Sequence, residues 1–158
     1  MPYLSGSDDI RIPLQLSNGC VIASLQIDLT EGVLTQFRQD LLEFIDKSAP
    51  SGVIVDVSGV DVMDVDEFES LRLILDMTRL MGTDYILVGL NAGIVSTLIR
   101  LNAHTSGLNT AVSLDDAHRL LSRRSETPEE KDEVDDVNIL SIPEQTVESV
   151  NIENESED

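Results

Sequence analysis

The chain contains little cysteine, few aromatic residues and few positive charges. Its one cysteine, Cys20, cannot form an internal disulfide, and nothing favours an oxidising compartment. The 10 lysines and arginines stand against 30 aspartates and glutamates, which gives a formal net charge of −20. Because binding to nucleic acid or to an anionic membrane surface requires clustered positive charge, the composition argues against both.

Long apolar runs are also missing. No segment approaches the ~18 to 20 apolar residues of a membrane-spanning helix, and the first residues lack the basic and apolar regions of a secretory signal. With 158 residues, of which 41% are hydrophobic, the chain is still long enough to bury a core. We therefore expect a soluble cytoplasmic protein.

Residue patterns typical of catalysis are missing as well. Gly89 and Gly93 do not form a glycine-rich loop of the kind that binds phosphates. The two histidines, His104 and His118, are 14 positions apart and have no neighbouring cysteine, so a metal site or a cysteine–histidine pair lacks its residues. The sequence predicts no metal and no cofactor, and it predicts that the protein is not an enzyme.

The negative charge is concentrated at the carboxyl end. Residues 125–158 hold 13 acidic residues and one basic residue, Lys131. Such a composition buries too little apolar surface to offset the entropy lost on ordering the chain. We predict three regions: a flexible amino terminus at 1–9, a folded domain at 10–122 and an acidic disordered tail at 123–158.

Strand and helix periodicities alternate along the folded part. Apolar and polar residues alternate at 10–16, and the Asn18-Gly19 pair predicts a hairpin turn into the next strand. The whole pattern predicts an α/β fold with a mixed sheet of about five strands and with four helices. The strands are predicted at 10–16, 21–27, 53–57, 85–89 and 110–112, and the helices at 30–47, 68–82, 94–101 and 113–121.

Acidic residues crowd the junction between the third strand and the second helix. We call residues 61–67 the acidic loop. Its members of interest are Asp61, Asp64, Val65, Asp66 and Glu67. The helix dipole favours carboxylates at a helix start by ~0.3 to 1 kcal/mol each, and an aspartate suits the N-cap position. A structural role as a helix cap is therefore one interpretation of these acids.

Two other roles for the acids in and before the acidic loop, calcium binding and phosphoryl acceptance, do not fit the sequence. A calcium-binding loop needs glycine at its sixth position and glutamate at its twelfth, and neither register of the segment provides them. A phospho-accepting role for Asp56 needs a lysine near the fourth strand. The one lysine of the folded part is Lys47, on a predicted helix.

Four segments resemble the STAS domain of anti-sigma factor antagonists. They are VIVDVSGVDVMD at 53–64, TRLMGT at 78–83, ILVGL at 86–90 and AGIVSTLI at 92–99. The resemblance covers about residues 10–122 and is greatest to the single-domain stressosome scaffold proteins of the RsbS type. It implies a STAS fold for the whole folded part.

The resemblance also implies a mode of action. STAS antagonists and scaffolds perform no catalysis, and a phosphate on the serine or threonine after the aspartate that precedes the second helix regulates them. An RsbT-like kinase adds this phosphate, about −1.5 to −2 of charge, and the unphosphorylated form holds the partner. RsbS-like proteins also assemble with RsbR-like sensors that carry STAS domains. The resemblance therefore implies a homo- or hetero-oligomer in a partner-switching stress-signalling complex.

The chain departs from this pattern at the regulated hydroxyl. The residue after Asp64 is Val65, and Asp66 and Glu67 follow it. In one interpretation the two acids imitate the phosphorylated form. In the other, Val65 leaves a permanently unphosphorylated surface that retains its kinase. Neither interpretation needs a switch in this loop, so both favour a scaffold.

Two hydroxyls near the loop are candidate phosphorylation sites. Ser58 precedes the loop, and Ser70 lies one turn into the predicted helix. An alternative function is a STAS-like accessory domain that binds a small molecule or a transporter partner, with the acidic loop as the lip of its binding site. The sequence leaves both functions open.

Overall fold

Five strands and four helices follow one another in residues 10–126, the part of the chain that the computed structural model describes. Their order confirms the predicted one. The strands are β1 (Leu14–Ser17), β2 (Cys20–Ser24), β3 (Gly52–Asp56), β4 (Tyr85–Val88) and β5 (Thr110–Ala111), and the helices are α1 (Glu31–Ser48), α2 (Val65–Leu80), α3 (Ala92–Arg100) and α4 (Leu114–Glu126). The predicted flexible segment 1–9 and residues 127–158 of the predicted tail lie outside the described residues.

The strands form one mixed sheet in the order β1-β2-β3-β4-β5. β1 and β2 pair antiparallel, and Asn18 (φ 51°) and Gly19 (φ 78°) make the turn between them, as the Asn-Gly pair predicts. The remaining neighbours pair parallel, so helices must connect them. β1 begins only at Leu14, later than predicted, because Pro13 has no N–H to donate to a sheet.

β3 and β4 are buried on both faces of the sheet. On one face, Val55 and Leu87 belong to the larger core, which α1, α2 and α3 cover. On the other face, Ile54 and Ile86 pack with Leu121 of α4. A nearly continuous run of β-branched residues, as in β3, is typical of a strand with two buried faces. Within residues 10–126, no helix combines the length and the apolar character needed to cross a membrane.

Helix α4 extends beyond its predicted length. It ends at Glu126, so residues 123–126, which the sequence analysis assigned to the tail, are helical. Arg123 and Arg124 lie in the last turn, where the helix dipole favours positive charge. The Arg124 guanidinium also lies 3.5 Å from a carboxylate oxygen of Asp84, just before β4. This contact between distant parts of the chain is a tertiary one, which composition does not reveal.

Leu121→Ala should lower the free energy of unfolding by about 2 to 5 kcal/mol, because it leaves a cavity between α4 and the sheet. The Leu121 side chain is 2% exposed and packs on Gly52, where an added Cβ would lie 2.7 Å from Leu121 Cδ1. Urea unfolding measures the loss. Leu114→Ala is the matched control, since Leu114 belongs to the same helix but is 37% exposed. Equal losses in the two variants would contradict this account of how α4 covers the sheet.

Candidate functional site

The candidate site lies at the edge of the sheet where the parallel strands β2, β3 and β4 end. The chain leaves β3 at this edge and passes through the acidic loop before α2 begins. Val60 and Met63 are buried, at 4% and 1% exposure, whereas Asp61 and Asp64 are exposed. The apolar residues therefore anchor the loop to the core, and its acids face the solvent.

A capping box fixes the start of α2. The Asp64 carboxylate accepts a hydrogen bond from the Glu67 N–H at 2.8 Å, and the Glu67 carboxylate accepts one from the Asp64 N–H at 2.9 Å. The structure thus confirms that Asp64 is the N-cap. Of the two acids that follow Val65, Glu67 is half-buried and bound to the backbone, whereas Asp66 is exposed.

The candidate phosphorylation sites lie in different surroundings. Val65 is the first residue of α2 and is half-buried. Ser58 is exposed beside the end of β3, and its N–H donates a hydrogen bond to Asp56 Oδ1 at 2.9 Å. Ser70 is exposed on α2 and lines a cavity between α1 and α2. The structure therefore places Ser58 at the candidate site and Ser70 on an adjoining surface.

Gly89, directly after β4, permits a close approach to the segment that follows β3. Its φ of +82° is left-handed, a conformation that glycine adopts without steric cost. A Cβ at this position would lie 2.7 Å from the backbone nitrogen of Ser58. The sequence analysis placed Gly89 at the end of a strand but missed this contact, because the contact depends on the pairing of β3 with β4.

Asn91 links the acidic loop to α3. Its Oδ1 accepts a hydrogen bond from the Ile94 N–H at 2.9 Å and so caps α3. Its Nδ2 donates to the carbonyl oxygens of Val60 at 3.2 Å and Asp61 at 3.4 Å. One side chain therefore holds the helix and the loop together. The sequence shows the cap, but which loop lies beside it depends on the tertiary fold.

Apolar side chains are exposed on the two elements that Asn91 joins. Val62, in the acidic loop, is 80% exposed, and Val95 and Ile99, one turn apart on α3, are 43% and 63% exposed. We call these three residues the apolar ridge. The hydrogen bonds of Asn91 tie the two elements together, and exposed apolar side chains on adjoining elements are typical of surfaces that bind other proteins. The site therefore combines carboxylates with apolar contact area.

The two histidines lie on other elements. His104 follows α3, and its carbonyl oxygen accepts a hydrogen bond from the Arg72 guanidinium. His118 is half-buried on α4. Among the described residues, no group of three or more histidine, cysteine, aspartate or glutamate side chains is arranged to hold a metal ion.

The model of the STAS domain matches residues 11–117, well over half of the chain. The chain belongs to the STAS domain family. This match confirms the resemblance found in the sequence. A comparison with curated proteins found no match.

Solved structures share the fold. One is the S58E variant of RsbS from Moorella thermoacetica, where the residue number is that protein's own. Its TM-score is 0.64 and its sequence identity is 22%, and the match covers 73% of this chain and 98% of that chain. Another is a chain of the stressosome, a signal integration and transduction hub. Its TM-score is 0.64 and its sequence identity is 23%, and the match covers 73% of this chain and 100% of that chain. A third is the anti-sigma factor antagonist SpoIIAA in its unphosphorylated form. Its TM-score is 0.53 and its sequence identity is 13%, and the match covers 73% of this chain and 99% of that chain.

Gly89→Ala should lower the free energy of unfolding by about 2 to 5 kcal/mol, since it adds a clash with the Ser58 backbone to the cost of a left-handed alanine. Gly107→Ala is the matched control. Gly107 also has a left-handed φ, +72°, but nothing lies within 4 Å of an added Cβ. That variant should lose only about 1 to 2 kcal/mol. Equal losses by urea unfolding would show that the contact of Gly89 with Ser58 is not tight.

Proposed function

We propose that the chain is a non-enzymatic STAS scaffold or antagonist in a cytoplasmic, stressosome-like signalling complex. The observation that carries the proposal is the apolar ridge, which the Asn91 hydrogen bonds hold beside the acidic loop. Such a surface is suited to binding another protein. The fold shared with RsbS, with a stressosome chain and with SpoIIAA supports the choice of signalling complex.

The proposed partners are an RsbT-like kinase and RsbR-like sensors that carry STAS domains. A homo- or hetero-oligomer follows from this proposal, because stressosome proteins work in an assembly. Buried apolar contact at the ridge would supply most of the binding free energy. The exposed carboxylates of Asp61, Asp64 and Asp66 would orient the partner and exclude partners with the wrong charge.

We propose that the acidic loop holds its partner without being phosphorylated itself. Val65 offers no hydroxyl, and the Glu67 carboxylate is bound to the Asp64 N–H, which leaves Asp66 as the exposed acid of the pair. The two carboxylates together match the charge of a phosphate, about −1.5 to −2, but they lie on two side chains and the backbone holds one of them, whereas a phosphate presents its oxygens on one group. The surface is therefore closer to the unphosphorylated form, which supports the second of the two interpretations of Val65.

Ile99→Asp should weaken binding to the kinase and the sensors at least about tenfold, because it places a charge in the apolar ridge. Capture of the full chain from its native cells, read by mass spectrometry, identifies the partners, and titration with the recovered kinase measures the affinity. Val112→Asp is the matched control, since Val112 is 90% exposed in the turn between β5 and α4.

Unchanged binding by Ile99→Asp would exclude the apolar ridge as the binding surface. Recovery of a transporter or a small molecule, with neither kinase nor STAS sensor, would contradict the proposed function and support the alternative of an accessory domain.

Val65→Ser alone should not restore phosphoregulation, since Asp66 and Glu67 keep fixed negative charge beside the new hydroxyl. The triple variant Val65→Ser, Asp66→Asn, Glu67→Gln should restore it. The glutamine keeps an oxygen that accepts the hydrogen bond of the capping box. Assays with the recovered kinase measure phosphate transfer and partner release. If the single variant were phosphorylated and released its partner, the two acids would have no blocking role.

A further inference from the structure

Ser70 and Arg38 line one cavity between α1 and α2. Its volume is about 140 Å³, whereas a single water molecule needs about 10 to 15 Å³. Leu34 and Ile74 lie at its buried side, at 5% and 4% exposure. The cavity therefore has room for a group of several atoms on an apolar floor, with a serine and an arginine among the residues that line it.

Arg38 has no anionic partner within the part of the chain that the structure describes. It is half-buried on α1, and it makes no hydrogen bond or ion pair with any of residues 10–126. Other arginines of the described part are paired, such as Arg79 and Arg124 with Asp84. A partly buried guanidinium loses hydration that a hydrogen-bonded anion would replace. A half-buried arginine with no anion beside it among residues 10–126 therefore offers a place for an added anion.

Ser70 is positioned to supply that anion. It is exposed, and its hydroxyl makes no hydrogen bond within the described part of the chain. Arg72 also lines a pocket with Ser70, but its guanidinium already binds the carbonyl oxygens of His104 and Ser106 and lies 3.7 Å from the Asp76 carboxylate. Ser70 lies four residues after Asp66 and three after Glu67, hence on the same face of α2. Attraction by Arg38, which lines the cavity from α1, would draw a phosphate on Ser70 towards α1, and the carboxylates of Asp66 and Glu67 would repel it from the start of α2.

We propose that Ser70 is a regulatory phosphorylation site and that Arg38 binds its phosphate. A protein kinase transfers the γ-phosphoryl group of ATP to Ser70 Oγ. The bond to the β-phosphate breaks, ADP leaves, and the hydroxyl proton passes to the base of the kinase. The inference rests on the proposed function, because it gives the acidic loop, one helical turn away, the switch that Val65 does not provide. Glu31, two turns before Arg38 on α1, also lines the cavity, and its carboxylate would repel the phosphate.

Two measurements test the proposal. The first is phosphopeptide mapping of the full chain purified from its native cells before and after stress. Phosphate on Ser70 is the expected result. Phosphate on Ser58 alone, or none in either condition, would overturn the regulatory role of Ser70.

The second measurement uses the full chain with phosphoserine encoded at position 70, titrated by ³¹P NMR. The second pKa of the phosphate should be lower, by at least about 0.5, in the native background than in Arg38→Gln, because a nearby cation favours the dianion. Phosphoserine encoded at Ser96, exposed on α3, is the control and should not respond to Arg38→Gln. Equal values at position 70 would overturn the role of Arg38. Neither measurement needs a partner, so their failure is distinguishable from failure of the capture experiment.

Discussion

Burial of β3 and β4 on both faces is the constraint on which the rest of the structure depends. Parallel strands need crossover helices, and two buried faces need helices on both sides of the sheet. α1 and α2 therefore lie side by side on one face, where the cavity between them brings Arg38 and Ser70 together, and α4 covers the other. The same parallel pairing brings the ends of β3 and β4 to one edge, where the acidic loop emerges.

The acidic loop is held at several points, which suits a scaffold better than a mobile switch. Met63 anchors it in the core, and Asn91 donates to the carbonyl oxygens of Asp61 and of Val60 just before the loop. Gly89 brings the end of β4 against Ser58, in the segment that precedes the loop. The capping box then fixes the direction in which α2 leaves. A surface that is ordered before binding loses less conformational entropy when a partner binds. An exposed side chain such as Val62 can therefore contribute more of its contact energy to affinity.

Features with local causes could be predicted from the sequence, and features with tertiary causes could not. The Asn18-Gly19 turn and the caps at Asp64 and Asn91 depend on residues within a few positions, so their patterns are visible in the chain. The α/β order follows from the two hydrophobic periods. The close approach at Gly89 and the second role of Asn91 depend on which strands and loops become neighbours. The sequence shows that Asp66 and Glu67 are both acidic but not how their surroundings differ. In the structure the Glu67 carboxylate accepts a hydrogen bond from the Asp64 N–H, whereas Asp66 is exposed.

Positive charges are few in this chain, and Arg38 differs from the other arginines in its surroundings. Arg72 donates to the carbonyl oxygens of His104 and Ser106, and so holds the segment after α3 against α2. Arg100 shares with Arg38 the lack of a partner within residues 10–126, but it is exposed, and water replaces a partner at no cost. Arg38 is half-buried and has the hydroxyl of Ser70 beside the same cavity. The proposed phosphate on Ser70 would replace hydration that the half-buried Arg38 has lost, whereas a phosphate near the exposed Arg100 would only displace solvent.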